Sequence, residues 1–589
     1  MYRAVRTRFA IAVISGMLLG VMVLSQSTAA APPHPELLEA TALEKKAPAY
    51  FMTHQADLRS AGLESGPASF DRKDDKQTTL LSLSPEVMGS FNVLAILVTF
   101  SDKPAATGAS YFDDLLFSTT NVSVRHYYRE ASYAQLDIVT VNLPSSLGWV
   151  GAPQTYAYYV NGENGVNPDS YPNNAQRLVE DLVSIVDGSV NFSRYDNDNN
   201  GFVDVLMVVH AGPGAEFTGS DDDMWSHQWQ ITPRATNDGV YVSNYTMQPE
   251  YLLAAGDMTI GVFAHELGHA FGLPDLYDTD YSSNGIGSWG IMAFGSWLGP
   301  RGLGELPAAP CAWSRIQMGF NQATNVTSNV TSQTIYDVKN ARDIYRLWTS
   351  GAIENEYFLV ENRQRTGYDT YLPSDGLLIW HIDDTQDDND NEWYPGLNPA
   401  SHYLVALEQA DGLFELEKAA DAGDGNDPFP ISGVASSFNA LSAVTSSSYT
   451  DGNSYVSVEN ISPSGDSMTA DFYVSFSGSY EGDTEEDDDA EDSDILPTSL
   501  RLSQNYPNPF NPTTTISFYS PDPGYAVVDI FDILGRRVQT LLSRDIAAGQ
   551  TEIQWDGTNS SGGSVASGIY LCKLEMNGQK QLRKMILAR

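Results

Sequence analysis

The chain is poor in cysteine and in positive charge, and beyond its first residues it contains no long apolar run. Its 589 residues include two cysteines, Cys311 and Cys572, whose wide separation excludes a disulfide scaffold. Only 32 lysines and arginines stand against 75 aspartates and glutamates, and the net charge of −43 argues against binding nucleic acid or an anionic membrane by charge. We therefore expect no nucleic-acid partner and no transmembrane segment in the mature protein.

The first 31 residues are the exception to this pattern. Three arginines precede an apolar run from Phe9 to Leu24, and residues 29–31 are alanines that suit cleavage. The run is too short to cross a bilayer comfortably. We expect residues 1–31 to be an export signal, so that the mature protein is secreted, extracellular or held on the outer cell surface.

Composition and residue patterning divide the rest of the chain into five regions. Residues 32–90 are polar and irregular, which predicts a pro-segment or, as an alternative, a spacer. Residues 91–325 alternate strand and helix patterns, which predicts a mixed α/β catalytic domain. Residues 326–476 contain short strands and turns and predict a mostly β accessory module. Dense like charges in 477–495 predict a flexible linker, and alternating strands in 496–589 predict a small β-sandwich.

Local patterns predict individual elements of the catalytic region. The continuous apolar run at 91–100 predicts a buried strand, and a second such run covers 202–209. Residues 123–130 and 175–186 have helical spacing.

The segment from His265 to Asp275 reads HELGHAFGLPD and predicts a metal site. Two histidines at i and i+4 lie one turn apart on the same helix face, where they can share one Zn²⁺. Glu266 stands beside the first of them, where it can take a proton from the attacking water. Gly272 can end the helix in the left-handed conformation, so that the chain returns with Asp275 as a third ligand.

Apolar residues of the same helix recur at helical spacing. We expect this stripe to pack into the core while His265 and His269 face a cleft. The stripe comprises Ile260, Phe263, Ala264, Leu267 and Phe271.

The third ligand has two rivals, and two further histidines are candidates for the cleft. Asp278 and Glu305 are the other carboxylates that could replace Asp275 at the metal. His210 and His227 could line the cleft, with a structural role as the alternative.

A second metal site is predicted between residues 196 and 204, which read DNDNNGFVD. Asp196, Asp198, Asn200 and Asp204 supply oxygens at positions 1, 3, 5 and 9, with glycine at position 6, as in the first part of a calcium loop. Position 12 is Met207 instead of glutamate, so the loop is no complete EF-hand. We expect a structural Ca²⁺ here, with a solvated acidic turn as the alternative.

The zinc motif carries a family resemblance. HExxHxxGxxD followed by Met292 in the turn of residues 287–297 resembles the metzincin-type zinc endopeptidases. The longer string to Asp278, together with residues 124–133 and 225–227, is similar to the immune inhibitor A-like family of secreted bacterial metalloproteases.

This resemblance implies a fold and roles for the site residues. Zinc would bind His265, His269 and Asp275, with Glu266 as general base and Met292 in the floor of the site. The implied architecture is an α/β (α+β) metzincin-like zinc-protease domain, followed by a mostly β module and a C-terminal immunoglobulin-like β-sandwich. Asp275 departs from the third histidine that most metzincins carry, although a carboxylate is a suitable zinc ligand.

The last region carries a second resemblance. Residues 505–514, which read NYPNPFNPTT, and the basic end at 584–589 resemble the C-terminal sorting domain of type IX secretion. The resemblance implies the type IX secretion machinery as a partner. The alternative is an immunoglobulin-like module that binds carbohydrate or cell wall.

Three functions are consistent with these features. The first is a secreted zinc endopeptidase that acts on protein or peptide substrates, with Glu266 as general base. The second is a surface adhesin with a structural metal site. The third is a zinc hydrolase of a non-protein substrate.

Overall fold

The computed structural model describes most of the chain from residue 30 onward. The described residues are 30–43, 46–60, 88–395, 397, 401–440, 442, 444–449, 452–475, 501–502, 510, 512–520, 522–532, 536–547, 549–560, 562–576 and 579–587. Residues 1–29 of the predicted export signal and the acidic linker at 477–495 lie outside them.

The segment that precedes the catalytic region folds into two helices, α1 (Pro35–Ala42) and α2 (Tyr50–Ser60), where irregular chain was expected. Proline at the first position of α1 suits a helix start, and the side chain of His34 accepts a hydrogen bond from a backbone N–H of the first turn. The ring of Phe51 stacks on that of Trp225, with centroids 4.6 Å apart. The few apolar residues of this segment therefore serve to pack it on the catalytic region.

A mixed sheet forms the centre of the catalytic region. The strands of the region are β1 (Gly89–Asn92), β2 (Leu94–Thr99), β3 (Leu136–Val139), β4 (Trp149–Gly151), β5 (Leu206–Pro213), β6 (His227–Ala235) and β7 (Tyr241–Tyr251). Five of them form one sheet in the order β4-β2-β5-β7-β6, in which β6 is the antiparallel edge strand. The strand predicted at 91–100 is divided, because β1 pairs with β3 in a separate sheet while β2 joins the main sheet.

Helices cover the sheet, and one of them carries the metal motif. They are α3 (Ser110–Phe117), α4 (Val124–Ala131), α5 (Pro144–Leu147), α6 (Tyr156–Val160), α7 (Ala175–Val186), α8 (Ala215–Thr218), α9 (Gly261–Ala270) and α10 (Ala312–Gln317). All ten residues of α9, the motif helix, are buried. Residues 30 and 31 cover the face that was expected to present the histidines to a cleft, so this face is closed to solvent in this form of the chain.

The region after the catalytic region is mostly β, as expected. Its elements are β8 (Thr324–Asn325), β9 (Val330–Tyr336), α11 (Val338–Ala341), β10 (Ile344–Leu347), β11 (Glu356–Arg363), β12 (Gly376–Asp383), β13 (Val405–Leu407), β14 (Ser447–Ser448), β15 (Gly452–Asn453), β16 (Ser457–Glu459) and β17 (Ser467–Tyr473). They form sheets in the orders β13-β12-β11-β10-β8 and β16-β17-β9, and a hairpin of β14 and β15. One apolar core joins Phe271 of the catalytic region to Phe358 and Phe472 of this module.

A buried arginine ties the two regions together. The Arg363 side chain is fully buried and bonds Asp369 through Nε at 2.9 Å. Oδ1 of Asp369 also accepts a hydrogen bond from the backbone N–H of Ala309 at 2.9 Å. Burial lowers the pKa of the guanidinium, but Asp369 and Glu361 outweigh it and hold that pKa above its ordinary value. The β module therefore holds the backbone at Ala309, near the end of the catalytic region.

The C-terminal region is a β-sandwich, as expected. Its strands are β18 (Arg501–Leu502), β19 (Thr514–Ser520), β20 (Gly524–Asp532), β21 (Arg537–Ile546), β22 (Gly549–Trp555), β23 (Gly568–Met576) and β24 (Gln579–Leu587). Sheets in the orders β18-β19-β22 and β21-β20-β23-β24 enclose a core of their own that includes Phe518, Val528 and Leu574. In the described part of the chain, no helix is both long and apolar enough to cross a bilayer.

Candidate active site

The helix α9 ends in a turn that reverses the chain. Backbone N–H groups of Gly272 and Leu273 donate to carbonyl oxygens of the last helical turn at 2.8 and 3.1 Å, which are the two bonds of a Schellman motif. Gly272 has a φ of 88°, a left-handed conformation that glycine adopts without strain. The chain after the turn runs back beside the helix and brings Asp275 to the histidines.

Three side chains converge at this point. His265 Nε2 lies 3.0 Å from His269 Nε2 and 3.1 Å from Asp275 Oδ1, and His269 Nε2 lies 3.5 Å from the same oxygen. Ligand atoms at the corners of a tetrahedron around Zn²⁺ are about 3.3 Å apart. The three atoms therefore have the separations of three corners of one zinc coordination sphere.

Hydrogen bonds at the Nδ1 atoms fix the tautomers of both imidazoles. His265 Nδ1 donates to the carbonyl oxygen of Ile291, and His269 Nδ1 donates to that of Leu273, each at 2.8 Å. Because a carbonyl oxygen can only accept, each Nδ1 carries the proton, and Nε2 of a neutral ring then presents a lone pair. For His265 that lone pair faces the carbonyl oxygen of Ala30 as well, so their 2.8 Å contact is not a hydrogen bond of the neutral ring. Burial, and then the neighbouring His265, lower the pKa of His269 well below its ordinary value and keep this ring neutral.

This donor set fits a divalent cation. Two lone pairs and a carboxylate oxygen of Asp275 face one another in a buried space, where they repel unless a positive charge lies between them. Two imidazoles and one carboxylate are a ligand set of catalytic zinc. The rival carboxylates lie elsewhere: Asp278 accepts hydrogen bonds from Ser282 and Ser283, and Glu305 pairs with an arginine.

The loops around the triad are braced from two sides. Met292 packs against Gly268, where an added Cβ would lie 2.5 Å from the methionine sulfur. Its carbonyl oxygen accepts a hydrogen bond from the backbone N–H of Leu276 at 2.8 Å. From the β module, buried Asn389 donates to the carbonyl oxygen of Leu276 at 3.0 Å. The loop that carries Asp275 is thus held before any ligand binds.

Residues 30 and 31 lie across the triad in an extended conformation. Ala30 forms an antiparallel bridge with His227 on the edge strand β6. Its carbonyl oxygen lies 2.8 Å from His265 Nε2, and its N–H donates to Asp275 at 2.9 Å. The N–H of Ala31 donates to Glu266 Oε1 at 2.8 Å. One peptide bond therefore has its oxygen toward the triad and its nitrogen toward the carboxylate of Glu266.

The next residues continue along the cleft. Indole N–H groups of Trp225 and Trp297 donate to the carbonyl oxygens of Ala31 and Pro32 at 3.1 and 3.0 Å. The His34 ring packs against Trp297 with centroids 4.9 Å apart. Strand pairing at an edge with hydrogen bonds to the main chain is a common mode of peptide binding.

Comparison with known proteins identifies this region. Residues 89–323 match the family described as "Immune inhibitor A peptidase M6, catalytic domain". This region is a peptidase M6 domain of the immune inhibitor A type. The M6 domain contains the whole motif from His265 to Asp275, so the resemblance to the immune inhibitor A-like family is confirmed.

Two relatives resemble the chain across part of their length. The pre-pro-metalloprotease PrtV of Vibrio cholerae is 30% identical over 279 residues, which cover 38% of this chain and 29% of PrtV. Immune inhibitor A of Bacillus thuringiensis subsp. alesti is 33% identical over 182 residues, 26% of each protein. The matched part thus spans less than a third of either relative.

The C-terminal sandwich has a different relationship. Residues 508–580 match the family described as "FlgD Ig-like domain". Among solved structures, dimeric latent PorU from Porphyromonas gingivalis is 27% identical over 16% of this chain and 10% of PorU, with a TM-score of 0.14. A score this low supports no statement about a shared fold. The immunoglobulin-like character expected for residues 496–589 is thus confirmed, and their sorting role stays a prediction.

The predicted calcium loop lies beside the sheet of the M6 domain. Carboxylate oxygens of Asp196, Asp198 and Asp204 lie within 4.8 Å of one another. Asn200 lies against this group: its backbone N–H donates to Asp196 and Asp198 at 2.9 and 3.0 Å, and its side-chain amide donates to Asp198 at 2.8 Å. Burial, with Asp198 and Asp196, raises the pKa of Asp204 to about 6, although hydrogen bonds from Asn197 oppose the shift.

The two candidate cleft histidines of the M6 domain are core residues. His227 contributes its backbone to the bridge with Ala30, whereas its ring contacts Trp225 and Tyr245. Burial lowers the pKa of His227 to about 4 and that of His210 to about 3. Both rings are therefore neutral near pH 7, in line with the structural alternative.

Three cleft residues of the M6 domain were not assigned a role in peptide binding from the sequence. Tyr277 Oη donates to the Ala30 carbonyl oxygen at 3.0 Å, and Trp225 and Trp297 bind the next residues. Their aromatic side chains resemble ordinary core residues in the sequence. Tyr277 lies two residues after Asp275, and this spacing beside a ligand is the one signal that could have indicated it.

The geometry predicts that Asp275, and not Asp278, holds the metal. We expect Asp275→Asn to weaken zinc binding by about 100-fold or more, because an amide is a poor zinc ligand. The matched variant Asp278→Asn should bind zinc within about threefold of the wild type. Competition with a chromophoric chelator measures both dissociation constants. Equal affinities of wild type and Asp275→Asn would contradict the assignment.

Proposed function

We propose that this protein is a zinc-dependent metalloendopeptidase that hydrolyses peptide bonds of proteins. The observation that carries the proposal is the peptide bond between Ala30 and Ala31, whose oxygen faces the triad while its N–H bonds Glu266. A site that orients a peptide bond in this way is suited to cleave one. The name of the relative PrtV, a pre-pro-metalloprotease, and the description of the family as peptidase M6 support a metalloprotease.

The residues of the site have distinct roles in this proposal. His265, His269 and Asp275 hold zinc, which when bound polarises the substrate carbonyl and makes the attacking water more acidic. Glu266 takes a proton from that water and passes it to the nitrogen of the leaving amine, toward which it already points. The edge strand β6 aligns the substrate main chain, as it aligns Ala30. Met292 and Gly272 set the floor and the turn of a metzincin-type site.

The two other functions have less support. A structural metal site of an adhesin is filled by four protein side chains. In the described residues, three side chains form the group around His265, and the neighbour on the cleft side is the carbonyl oxygen of Ala30. A non-protein substrate would not use the strand-like pairing along β6. The peptide-shaped cleft therefore favours a peptidase.

We further propose that the segment before the M6 domain keeps the enzyme latent. Residues 30–34 lie where a substrate would bind, and α1 and α2 anchor them to the domain. The N–H of Ala31 engages the Glu266 oxygen that would otherwise accept the water proton, so the bond between Ala30 and Ala31 is held without being cut. The proposal requires that the export signal is cleaved before residue 30, two residues before its predicted end at residue 31, so that the mature chain keeps Ala30 and Ala31. The block uses backbone groups, in accord with the absence of cysteine from residues 32–90.

Two proposals concern the regions outside the catalytic centre. Asp196, Asp198, Asn200 and Asp204 would bind Ca²⁺. Asn197, which bonds both Asp204 and the backbone of Asn92, would connect this loop to β1. The C-terminal sandwich would direct secretion through the type IX machinery to the cell surface or medium. The M6 domain would then act outside the cell.

Replacing Glu266 tests the proposed mechanism. We expect Glu266→Gln to reduce casein cleavage by about 10²–10⁴-fold, because the amide cannot accept the proton, while zinc content is unchanged. Glu305→Gln is the matched control and should keep wild-type activity. Full activity of zinc-loaded Glu266→Gln would refute the role of this residue. A zinc-loaded wild type that cleaves no protein would favour the adhesin or the non-protein hydrolase.

Latency is tested with a peptide of residues 30–43. The peptide should inhibit the activated enzyme competitively, because its backbone fills the cleft. The same peptide with Ala30→Trp should lose at least about 10-fold in affinity, since Ala30 is fully buried and leaves no room for an indole. Equal inhibition by both peptides would argue against the observed binding mode.

Calcium is tested by thermal unfolding with and without the ion. At 100 times its dissociation constant, Ca²⁺ should stabilise the protein by about 2.7 kcal/mol. This gain should vanish in Asp196→Ala and persist in Asp169→Ala, which changes an exposed carboxylate. A gain that Asp196→Ala leaves intact would point to calcium bound elsewhere.

Secretion is tested by deleting residues 496–589 in a host with a type IX system. The truncated chain should accumulate in the periplasm, whereas the full chain should reach the surface or medium. Normal export of the truncated chain would refute the sorting role.

A further inference from the structure

The hydroxyl of Tyr277 is aimed at the reacting end of the bound peptide bond. It donates to the carbonyl oxygen of Ala30 at 3.0 Å, and the same oxygen lies 2.8 Å from His265 Nε2. The carbonyl oxygen is the atom of a scissile bond that gains negative charge when water adds to the carbon. A hydrogen-bond donor at this position is therefore worth more in the transition state than in the ground state.

The position of this hydroxyl is fixed by the fold. Tyr277 is 1% exposed, and its ring packs against Phe294 and stacks on Tyr281 at centroid distances of 6.1 and 6.4 Å. The backbone of the preceding residue, Leu276, is held by Met292, Ile286 and Asn389. The phenol therefore needs no rearrangement when a substrate replaces residues 30 and 31.

We propose that Tyr277 is a catalytic residue that stabilises the oxygen of the scissile carbonyl during hydrolysis. The inference rests on the proposed peptidase function. Water adds to the carbonyl carbon, Glu266 accepts the water proton, and the carbonyl π electrons move to the oxygen that Tyr277 faces. The bond from carbon to nitrogen then breaks, and the proton on Glu266 goes to the amine. Tyr277 keeps its own proton and contributes a hydrogen bond that strengthens as the charge develops.

A rival role is purely inhibitory. Because the contact is made to Ala30, Tyr277 could serve only to hold the latent segment. In that case its hydroxyl would affect the strength of the block and leave catalysis by the activated enzyme unchanged.

The test uses enzyme that is expressed as the full chain and then activated, with a fluorogenic peptide as substrate. We expect Tyr277→Phe to lower kcat by about 10²–10³-fold, with KM within about threefold and with unchanged zinc content. Tyr281→Phe is the matched control: its ring stacks on Tyr277, but its hydroxyl accepts a hydrogen bond from Gln55, far along the chain in α2. It should keep wild-type kcat.

A second readout does not depend on turnover. A phosphinic peptide carries a tetrahedral, charged centre that resembles the transition state, so its affinity should fall in Tyr277→Phe by about the same factor as kcat/KM. A kcat within threefold of wild type, a loss confined to KM, or loss of zinc would overturn the proposal. If the wild-type enzyme itself cleaves no peptide, the peptidase function is wrong, and this role of Tyr277 is wrong with it. That outcome differs from a failure of the Tyr277 proposal alone, in which the wild type is active.

Discussion

The site depends on one electrostatic constraint: three electron-pair donors are held within 3.5 Å of one another in a buried space. Such a group is unstable without a cation, and its geometry survives only because each donor is fixed from behind. Backbone carbonyl oxygens orient both imidazoles, and the left-handed turn at Gly272 returns Asp275 to them. The same rigidity places Glu266 and Tyr277 on the two ends of one peptide bond, which is the geometry that hydrolysis needs.

The mostly β module contributes to the rigidity of the site, because its side chains bond the backbone of the catalytic region. Asn389 bonds the backbone between Asp275 and Tyr277. Asp369, which is paired with Arg363, bonds the backbone at Ala309. The shared apolar core means that the predicted boundary near residue 325 separates the regions in sequence but not in packing. The C-terminal sandwich differs, because it encloses a core of its own.

Local signals predicted the grouping of the site residues well and the occupation of the cleft poorly. Spacing alone indicated His265, Glu266 and His269, because a helix brings residues i and i+4 to the same face. The preference of glycine for the left-handed conformation at a helix end indicated the turn that leads to Asp275. Alternating patterns also predicted the α/β region and the two β regions. The helices at 35–60 and the path of residues 30–34 through the cleft depend on contacts with distant parts of the chain, such as Phe51 with Trp225 and Ala30 with Asp275. No local pattern encodes such contacts, and the position of Tyr277 beside the Ala30 carbonyl oxygen follows from them.

Locating zinc by anomalous diffraction from crystals of the latent protein tests the central claim most directly. The account predicts one strong peak within about 2.0–2.2 Å of His265 Nε2, His269 Nε2 and an Asp275 oxygen, with main-chain atoms of Ala30 next to it. A peak at Asp278 or Glu305, or a fourth side-chain ligand that closes the coordination sphere, would contradict it.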